Sequence, residues 1–170
     1  MTGLKSVSVL ILDDNVHMRQ LLKAILLAFG VGDIYEAADS TAAFAILEDQ
    51  GADIVFVDLK HGQFAQFGGV EFCQELRRRP EEALRFIPLI VVTAYSEITH
   101  LRQAIDAGVD EFLVKPVSPT TLATRMNAVI HRRRPFVSSG DYFGPNRRRR
   151  AVKKYNGPFR RYDDSTDVEL

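Results

Sequence analysis

The chain has 170 residues, a formal net charge of zero and 46% hydrophobic residues, which fit one globular domain with an appendage. No apolar stretch approaches the ~18–20 residues of a membrane-spanning helix, and the N-terminal segment lacks a signal-peptide cleavage pattern, so we expect a cytoplasmic protein. The single cysteine, Cys73, excludes an internal disulfide and is interpreted as a core residue.

Apolar runs alternate with apolar residues at helical spacing along the first 130 residues. The runs predict five buried strands, at residues 7–12, 33–37, 54–58, 87–92 and 111–114. A helical pattern follows each strand, within residues 15–30, 39–51, 70–79, 96–108 and 118–130. Such alternation implies right-handed crossovers, so we predict an α/β fold with a five-stranded, doubly wound parallel sheet.

Polar residues stand at the ends of four of the predicted strands. They are Asp13, Asp14, Asp58, Thr93 and Lys115. Because the carboxyl ends of parallel strands form the ligand-binding edge of such a sheet, we expect these side chains to lie together. Any one of them has a simpler explanation as a helix cap, a surface ion pair or a packed residue. The matching positions of all five favour a common site.

The residue types in this set point to phosphoryl transfer. Three converging carboxylates repel one another, and a hard cation such as Mg²⁺ relieves that repulsion while it accepts phosphate oxygens. A lysine and a hydroxyl group at the same edge can neutralise and hydrogen-bond an anion, and aspartate is a known covalent phosphoryl carrier. The sequence therefore predicts an Mg²⁺-dependent site with a carboxylate nucleophile.

Four motifs of the chain resemble those of a known family. They are Leu12-Asp13-Asp14-Asn15, Val57-Asp58-Leu59, Val92-Thr93-Ala94 and Phe112-Leu113-Val114-Lys115-Pro116. Through these motifs, residues 6–132 resemble the response-regulator receiver domain of two-component and phosphorelay signalling, which has a CheY-like, flavodoxin-type (βα)5 fold. The resemblance implies a signalling module and not an enzyme, since such a domain assists only its own phosphorylation and dephosphorylation.

The resemblance also implies a role for each site residue. Asp58 would accept a phosphoryl group from a histidine kinase or a phosphotransfer protein. The implied Mg²⁺ ligands are Asp13, Asp14, Asp58 and the backbone carbonyl of Lys60. Lys115 and Thr93 would bind the phosphoryl oxygens, and Phe112 would take the place of the aromatic switch residue. A downstream protein would bind the face formed by the fourth predicted helix, the fifth strand and the fifth helix.

The segment after Asp58 departs from the family pattern. Residues 59–69 contain no proline and are more numerous than in the family, so the path of the loop that carries Lys60 is left open. Lys60 and Tyr95 occupy the two positions that face the phosphoryl group in the family and tune its lifetime. They either shield that group from water or only line the rim of the site.

Charge sets the C-terminal part of the chain apart. Residues 1–130 carry 11 basic and 17 acidic side chains, a net charge of −6, whereas residues 131–161 carry 11 basic and one acidic side chain, a net charge of +10. Glycines and prolines interrupt any long element after Pro135, and too few apolar residues follow for a second core or a DNA-binding output domain. We predict a receiver domain over residues 1–134 and an Arg-rich, flexible tail over residues 135–170.

The tail contains the pattern Tyr-x-Gly-Pro-x-Arg-Arg twice, at residues 142–148 and 155–161. Arginine can bind the edge of guanine, and aromatic rings stack on bases. The candidate ligand-binding residues are Tyr142, Arg147, Arg148, Tyr155, Arg160 and Arg161. The pattern resembles the Arg-rich extensions of CheY-like proteins that bind cyclic di-GMP and act at the flagellar motor. The alternative is a basic arm that binds RNA, anionic lipid or the acidic face of its own domain.

Two functions from different classes follow from these patterns. The first is a phosphoacceptor response regulator that is switched at Asp58. The second is an adaptor that senses cyclic di-GMP or another polyanion through its tail, with the Asp58 site secondary. A third function, an Mg²⁺-dependent phosphatase, is not favoured, because no second acid–base residue and no substrate-binding insertion accompany the acidic cluster.

Overall fold

A computed structural model describes residues 4–59, 68–94 and 98–147, with only the backbone given for residues 98–101. A short 3₁₀ turn, Leu4–Ser6, precedes the first strand. The strands are β1 (Ser8–Leu12), β2 (Asp33–Ala37), β3 (Ile54–Asp58), β4 (Leu89–Thr93), β5 (Glu111–Val114), β6 (Phe136–Ser139) and β7 (Tyr142–Pro145). The helices are α1 (Val16–Ala28), α2 (Ser40–Asp49), α3 (Gly69–Arg78), α4 (Glu82–Arg85), α5 (Ile98–Asp106) and α6 (Pro119–His131).

The central sheet of the described part of the chain has five strands in the order β2-β1-β3-β4-β5. All neighbouring strands in it are parallel. The three inner strands, β1, β3 and β4, are almost entirely buried because helices cover both faces, which explains their uninterrupted apolar sequences. The predicted five-stranded parallel sheet is therefore confirmed.

Two apolar layers cover the two faces of this sheet. The layer with α2, α3 and α5 contains Val57 and the fully buried Phe72, and the layer with α1 and α6 contains Phe56 and Met126. Successive strand residues such as Phe56 and Val57 enter opposite layers because side chains alternate across a strand. Cys73 is fully buried in the first layer, as predicted for a core residue.

The structure contains a short helix that the sequence analysis did not predict. This helix, α4, is one turn between α3 and β4. A single turn has no repeating apolar face, so the signal on which helix prediction depends is missing. The fourth and fifth predicted helices correspond to α5 and α6. None of the helices in the described ranges is long and apolar enough to cross a membrane.

The folded part of the chain extends beyond the predicted boundary at residue 134. Residues 136–145 form an antiparallel hairpin from β6 and β7, where the sequence analysis placed the start of a flexible tail. Gly140 opens its two-residue turn with a φ of +54°, a conformation that glycine adopts without strain. The residues interpreted as breaks are therefore turn and strand residues here, and the described fold reaches residue 147.

Phe143 anchors this hairpin to the domain. Its ring centroid lies 5.1 Å from that of Phe86 and 5.3 Å from that of Phe136. Gly144 packs against Gly108 at the end of the α5 segment, so closely that a Cβ on Gly144 would lie 2.7 Å from the Cα of Gly108. Since Gly108 lies shortly before the start of β5 at Glu111, the hairpin covers the edge of the sheet opposite to the strand carboxyl ends.

Candidate functional site

The carboxylates of Asp13, Asp14 and Asp58 converge at the edge formed by the carboxyl ends of the strands. Asp13 and Asp14 follow β1, and Asp58 ends β3, the strand beside it. One carboxylate oxygen of each residue lies within 4.8 Å of those of the other two. Asp13 is almost fully buried, whereas Asp14 is exposed. The spacing allows one cation to contact all three residues.

Lys115 reaches the same cluster from the end of β5. Its Nζ lies 2.9 Å from Oδ2 of Asp58 and 3.3 Å from Oδ2 of Asp13. Its backbone N–H donates to the carbonyl of Thr93 at 2.8 Å, which ties the ends of β4 and β5 together. The peptide bond between Lys115 and Pro116 is cis. The ammonium group is thus shared between two carboxylates from different strands.

Burial and charge shift the pKa values in this cluster. Burial raises the pKa of the Asp13 carboxyl, and the charge of Asp58 acts in the same direction, while the Asn15 N–H and Lys115 oppose them. Burial alone would lower the pKa of Lys115, but its hydrogen bond and charge interaction with Asp58, together with Asp13, raise it overall. The lysine therefore stays charged between Asp13 and Asp58, and the three carboxylates of the cluster still exceed its single charge, an excess that a bound cation relieves.

Thr93 lies on β4, the strand beside that of Asp58, and Phe112 lies on β5, the next strand in the sheet. Thr93 is the last residue of β4, is fully buried and pairs in register with Val114 of β5. Phe112 is partly buried and packs against the layer that contains α3 and α5. The structure thus brings Thr93 to the same strand edge as Asp58 and Lys115, with Phe112 further back along β5.

The loop from β1 to α1 is held by residues that the sequence analysis missed. Arg19, one turn into α1, donates from Nη1 to the carbonyl oxygens of Asp13 at 2.7 Å and Asp14 at 3.3 Å. Glu36 of β2 lies 3.5 Å from the Nε of Arg19. The available signal was the position of Arg19, one turn after the cap residue that follows two aspartates.

A second charged cluster lies at the opposite edge of the sheet. Arg77, at the end of α3, is 3% exposed and donates to Oδ2 of Asp110 at 3.0 Å. Asp110 also accepts from Arg133 and from the backbone N–H of Leu89. Arg77 further donates to the carbonyls of Arg85, Ile87 and Gly108. Burial lowers the pKa of Arg77 to about 10, against the opposing effect of Asp110.

Residues 142–147, the described part of the first Tyr-x-Gly-Pro-x-Arg-Arg unit, lie beside this second cluster. The Arg147 guanidinium stacks 4.2 Å from the centre of the Tyr142 ring and forms an ion pair with Asp106 at 3.0 Å. Tyr142 and Arg147 line a cavity of about 260 Å³, whose walls also include Arg77 and Arg78. Two of the predicted tail residues therefore line a cavity with three arginines and two acidic residues, Asp106 and Asp141, away from the cluster of Asp13, Asp14 and Asp58.

The remaining predicted site residues lie outside the described ranges. They are Lys60, Tyr95, Arg148, Tyr155, Arg160 and Arg161. The proposed roles of Lys60 and Tyr95 in phosphoryl lifetime, and of the second repeat unit in ligand binding, stay predictions from the sequence.

Sequence comparison relates the chain to a known protein family. The family model of the response regulator receiver domain matches residues 9–127. The phosphate regulon transcriptional regulatory protein PhoB of Pseudomonas aeruginosa is 30% identical over 128 residues, which are 75% of this chain and 53% of that protein. The chain spans about half the length of the first curated relatives that it matches, 48% and 53%.

Solved structures share the architecture. The chemotaxis protein CheY4 of Vibrio cholerae superposes with a TM-score of 0.66 at 25% identity, over 73% of this chain and 98% of that chain. The receiver domain of the sensor histidine kinase PA1611 of Pseudomonas aeruginosa superposes with a TM-score of 0.62 at 23% identity, over 71% and 94% of the two chains. That structure is described with a magnesium ion coordinated in its active-site cleft.

Proposed function

We propose a function from the premise that this chain belongs to the response regulator receiver domain family. Asp58 accepts a phosphoryl group from a phosphohistidine donor in the presence of Mg²⁺, and its phosphorylation switches a protein-binding surface. The donor is a histidine kinase or a phosphotransfer protein. The chain thereby relays a signal and does not turn over a substrate of its own.

The sharing of the Lys115 ammonium between Asp58 and Asp13 carries this proposal. The Nζ lies 2.9 Å from the Asp58 carboxylate, so it is already next to the place where a phosphoryl group on that residue would lie. The site is partly open: Lys115 is 18% and Asp58 12% exposed. A buried ion pair with a purely structural role would have no need of this access to solvent.

The donor set fits Mg²⁺. Asp13, Asp14 and Asp58 offer hard oxygen ligands within 4.8 Å of one another, and Lys115 offsets one of their three negative charges. These three residues would hold the ion, together with the carbonyl of Lys60, which lies outside the described residues. When bound, the ion neutralises charge on the phosphoryl group during transfer. The magnesium described in the cleft of the PA1611 receiver domain supports the same assignment.

The transfer requires little covalent chemistry from the protein. An oxygen of Asp58 forms a bond to phosphorus while the bond from phosphorus to the donor's imidazole nitrogen breaks, and the electron pair of that bond stays on the imidazole. Lys115 then transfers its hydrogen bond from Asp58 to a phosphoryl oxygen. The hydroxyl of Thr93, at the end of the neighbouring strand, binds a second phosphoryl oxygen.

The face formed by α5, β5 and α6 would read out this change. Thr93 and Phe112 lie on the adjacent strands β4 and β5, where Thr93 pairs with Val114 and Phe112 with Val91, and an inward movement of Thr93 would be coupled to the packing of Phe112. Val114 on β5 is 47% exposed and offers an apolar contact next to Lys115. Phosphorylation would shift an existing equilibrium of this face, to which a downstream protein binds.

Phosphorylation by a small phosphoryl donor, followed by intact mass spectrometry, tests the first proposal. We expect the full chain to gain one phosphoryl group with Mg²⁺ and none with a chelator. Asp58→Asn should gain none, whereas the control Asp53→Asn, which changes a carboxylate at the other end of β3, should be labelled like the parent. Labelling of Asp58→Asn, or no labelling of the parent, would contradict the proposal.

A second function, cyclic di-GMP sensing through the tail, is favoured by the cavity beside Tyr142 and Arg147. The volume of about 260 Å³ lies below the ~300–1,000 Å³ of typical ligand pockets, so this cavity would take only part of a dinucleotide. Arg78 is exposed and makes no ion pair within the described ranges, and the Asp106 partner of Arg147 is 60% exposed, so a ligand phosphate competes for both arginines at little cost. Action at the flagellar motor would follow only if this binding occurs.

Titration calorimetry with cyclic di-GMP tests this second function. Point variants of the full chain are the suitable comparison, because removal of all residues after 134 would also remove the hairpin. The double variants R147A/R148A and R160A/R161A should each weaken binding, whereas Arg132→Ala, an exposed arginine outside the cavity, should not. If all three variants bind cyclic di-GMP as tightly as the parent, the proposed ligand site is wrong and the tail is interpreted as a basic arm.

A further inference from the structure

We propose that Arg19 is the positioning residue of the acidic cluster and that Glu36 of β2 orients Arg19. The inference deepens the proposed function, since it concerns how the chain prepares Asp13 and Asp14 for a cation, and it rests on that function. Arg19 contacts the backbone of the two aspartates and not their carboxylates, so it acts through the loop and is not itself a catalytic residue.

The Arg19 side chain is committed to this loop. One guanidinium nitrogen, Nη1, donates to the carbonyl of Asp13 at 2.7 Å and to that of Asp14 at 3.3 Å. Its Nε is buried and lies 3.5 Å from Glu36 Oε2, at ion-pair distance but without a hydrogen bond. The side chain is only 16% exposed. Such a buried arginine is costly to maintain unless its contacts fix a structure that the protein uses.

Glu36 links Arg19 to the rest of the α1 surface. The other oxygen of Glu36, Oε1, accepts from Lys23 at 2.6 Å, one turn along α1 from Arg19. Glu36 is therefore held between two cations of the same helix. Lys23 is 42% exposed and belongs to the same ion network, and its ion pair within the described residues is with Glu36 and not with the loop that carries Asp13 and Asp14.

The loop between β1 and α1 is fixed from several sides. The backbone N–H of Asn15 donates to Oδ1 of Asp13 at 2.8 Å, and the Asn15 side chain caps α1 by accepting from His17 and Met18. The backbone N–H of Asp13 donates to the carbonyl of Ala37 at 3.2 Å. These bonds hold the ends of the loop, whereas Arg19 holds its two consecutive carbonyl groups and thereby the orientation of the peptide planes between them.

Charge and position predict opposite effects of removing Arg19. If Arg19 acted only through its charge, its loss would strengthen cation binding, because a positive group near the acidic cluster would be gone. If it positions the loop, its loss weakens cation binding, because Asp13 and Asp14 no longer meet Asp58 in a prepared geometry. Residues that orient metal ligands commonly change metal affinity by about 10–100-fold when they are removed.

Calorimetric titration of Mg²⁺ into full-length variants separates these two effects. We expect Arg19→Gln to bind Mg²⁺ about tenfold or more weakly than the parent. Arg19→Lys should recover part of the affinity, since an ammonium group can bind one of the two carbonyls. Lys23→Gln removes a charge from the same ion network without touching the loop, so it should bind as tightly as the parent or slightly more tightly.

A second control tests whether the loss of any partly buried arginine weakens Mg²⁺ binding by lowering stability. Arg79 stacks 4.6 Å from the Phe44 ring centre and pairs with Glu48 and Glu75, at the other side of the molecule. Arg79→Gln should lower stability toward urea without weakening Mg²⁺ binding. If Arg19→Gln binds Mg²⁺ as tightly as the parent, or more tightly, the positioning role is wrong.

Hydrogen exchange without Mg²⁺ provides a readout that does not depend on the metal. The Asn15 amide, which donates to Asp13, should exchange about tenfold faster in Arg19→Gln than in the parent. In Lys23→Gln its exchange rate should equal that of the parent. Unchanged exchange in Arg19→Gln would overturn the inference. If the parent fails to bind Mg²⁺, the proposed function fails, and the exchange of this amide alone decides whether Arg19 positions the loop.

Discussion

The two edges of the central sheet carry charged clusters of opposite net charge. Carboxylates are in excess at one edge and arginines at the other. At the carboxyl edge, the three carboxylates of Asp13, Asp14 and Asp58 converge, and Lys115 offsets one of their charges. At the other edge, the one carboxylate of Asp110 receives two arginines and a backbone N–H. The first edge retains an excess of negative charge, whereas the second has every oxygen of Asp110 paired.

This difference separates a candidate ligand site from a structural joint, that is, a cluster that links elements of the fold. Clustered like charges destabilise a folded protein and persist where binding or chemistry uses them. The Asp110 carboxylate is instead fully paired with cations and an N–H group, and we call its edge the closed edge. Its bonds link α3, β4, β5 and the segment after α6. We therefore expect changes at the second edge to alter stability, and changes at the first edge to alter cation and phosphoryl binding.

The largest effect should come from Arg77→Met at the closed edge. The change removes the ion pair with Asp110 and leaves the carbonyls of Arg85, Ile87 and Gly108 without a donor that they have in the native structure. Breaking a buried ion pair from one side costs about 3–5 kcal/mol. Urea denaturation should show this loss in the free energy of unfolding, while the affinity for Mg²⁺ of the remaining folded protein stays that of the parent.

The neighbouring arginine supplies the control for Arg77. Arg78→Met changes an exposed residue without an ion pair in the described ranges, and we expect its free energy of unfolding within about 0.5 kcal/mol of the parent. Cys73 offers a second readout, because its thiol is fully buried and burial raises its pKa to about 12. Thiol labelling should be faster in Arg77→Met than in Arg78→Met. Equal labelling and equal stability would show that the edge is not a structural joint.

A smaller effect is expected for Phe143→Ala, which removes the anchor of the hairpin. The Phe143 ring contacts Phe86 and Phe136 and lies 3.7 Å from the Arg85 guanidinium. Because this ring is only partly buried, the loss should be about 2 kcal/mol, below the range for fully buried phenylalanine. Urea denaturation measures it, and Tyr142→Phe, which removes the hydroxyl with its bonds to the Pro145 carbonyl and to Arg147, should cost about 1 kcal/mol. An unchanged Phe143→Ala would mean that the hairpin does not stabilise the domain.

The carboxyl edge was predictable from the sequence because its residues follow a repeated rule. Asp13, Asp58, Thr93 and Lys115 each end or follow an apolar strand, and parallel strands bring such positions together regardless of their separation along the chain. The position of Arg19 one turn after the cap residue was visible in the sequence, but its contacts were not predictable from it. They depend on one rotamer and on two backbone carbonyl groups, neither of which leaves a periodic pattern in the sequence.

The closed edge escaped the sequence analysis for a different reason. Phe143 follows the predicted end of the domain and packs on Phe86, and Arg77 belongs to a run of arginines that resembles a solvated surface. Glycine and proline in residues 140–145 were interpreted as breaks, although Gly140 forms a tight turn and Gly144 permits close packing on Gly108. Whether such residues end a fold or shape a hairpin depends on partners that are distant in sequence.

The smallest effect on stability is expected for Arg147→Ala, because Arg147 lies beside the closed edge but is exposed. Its ion pair with Asp106 is half exposed on both sides, at 50% and 60%, so solvent screens it, and its loss should cost less than about 0.5 kcal/mol in urea denaturation. The stacking on Tyr142 adds little at an exposed position. A loss of cyclic di-GMP binding in this variant, at unchanged stability, would show that the closed edge also carries a ligand site. A loss of more than about 2 kcal/mol would instead place Arg147 within the structural joint.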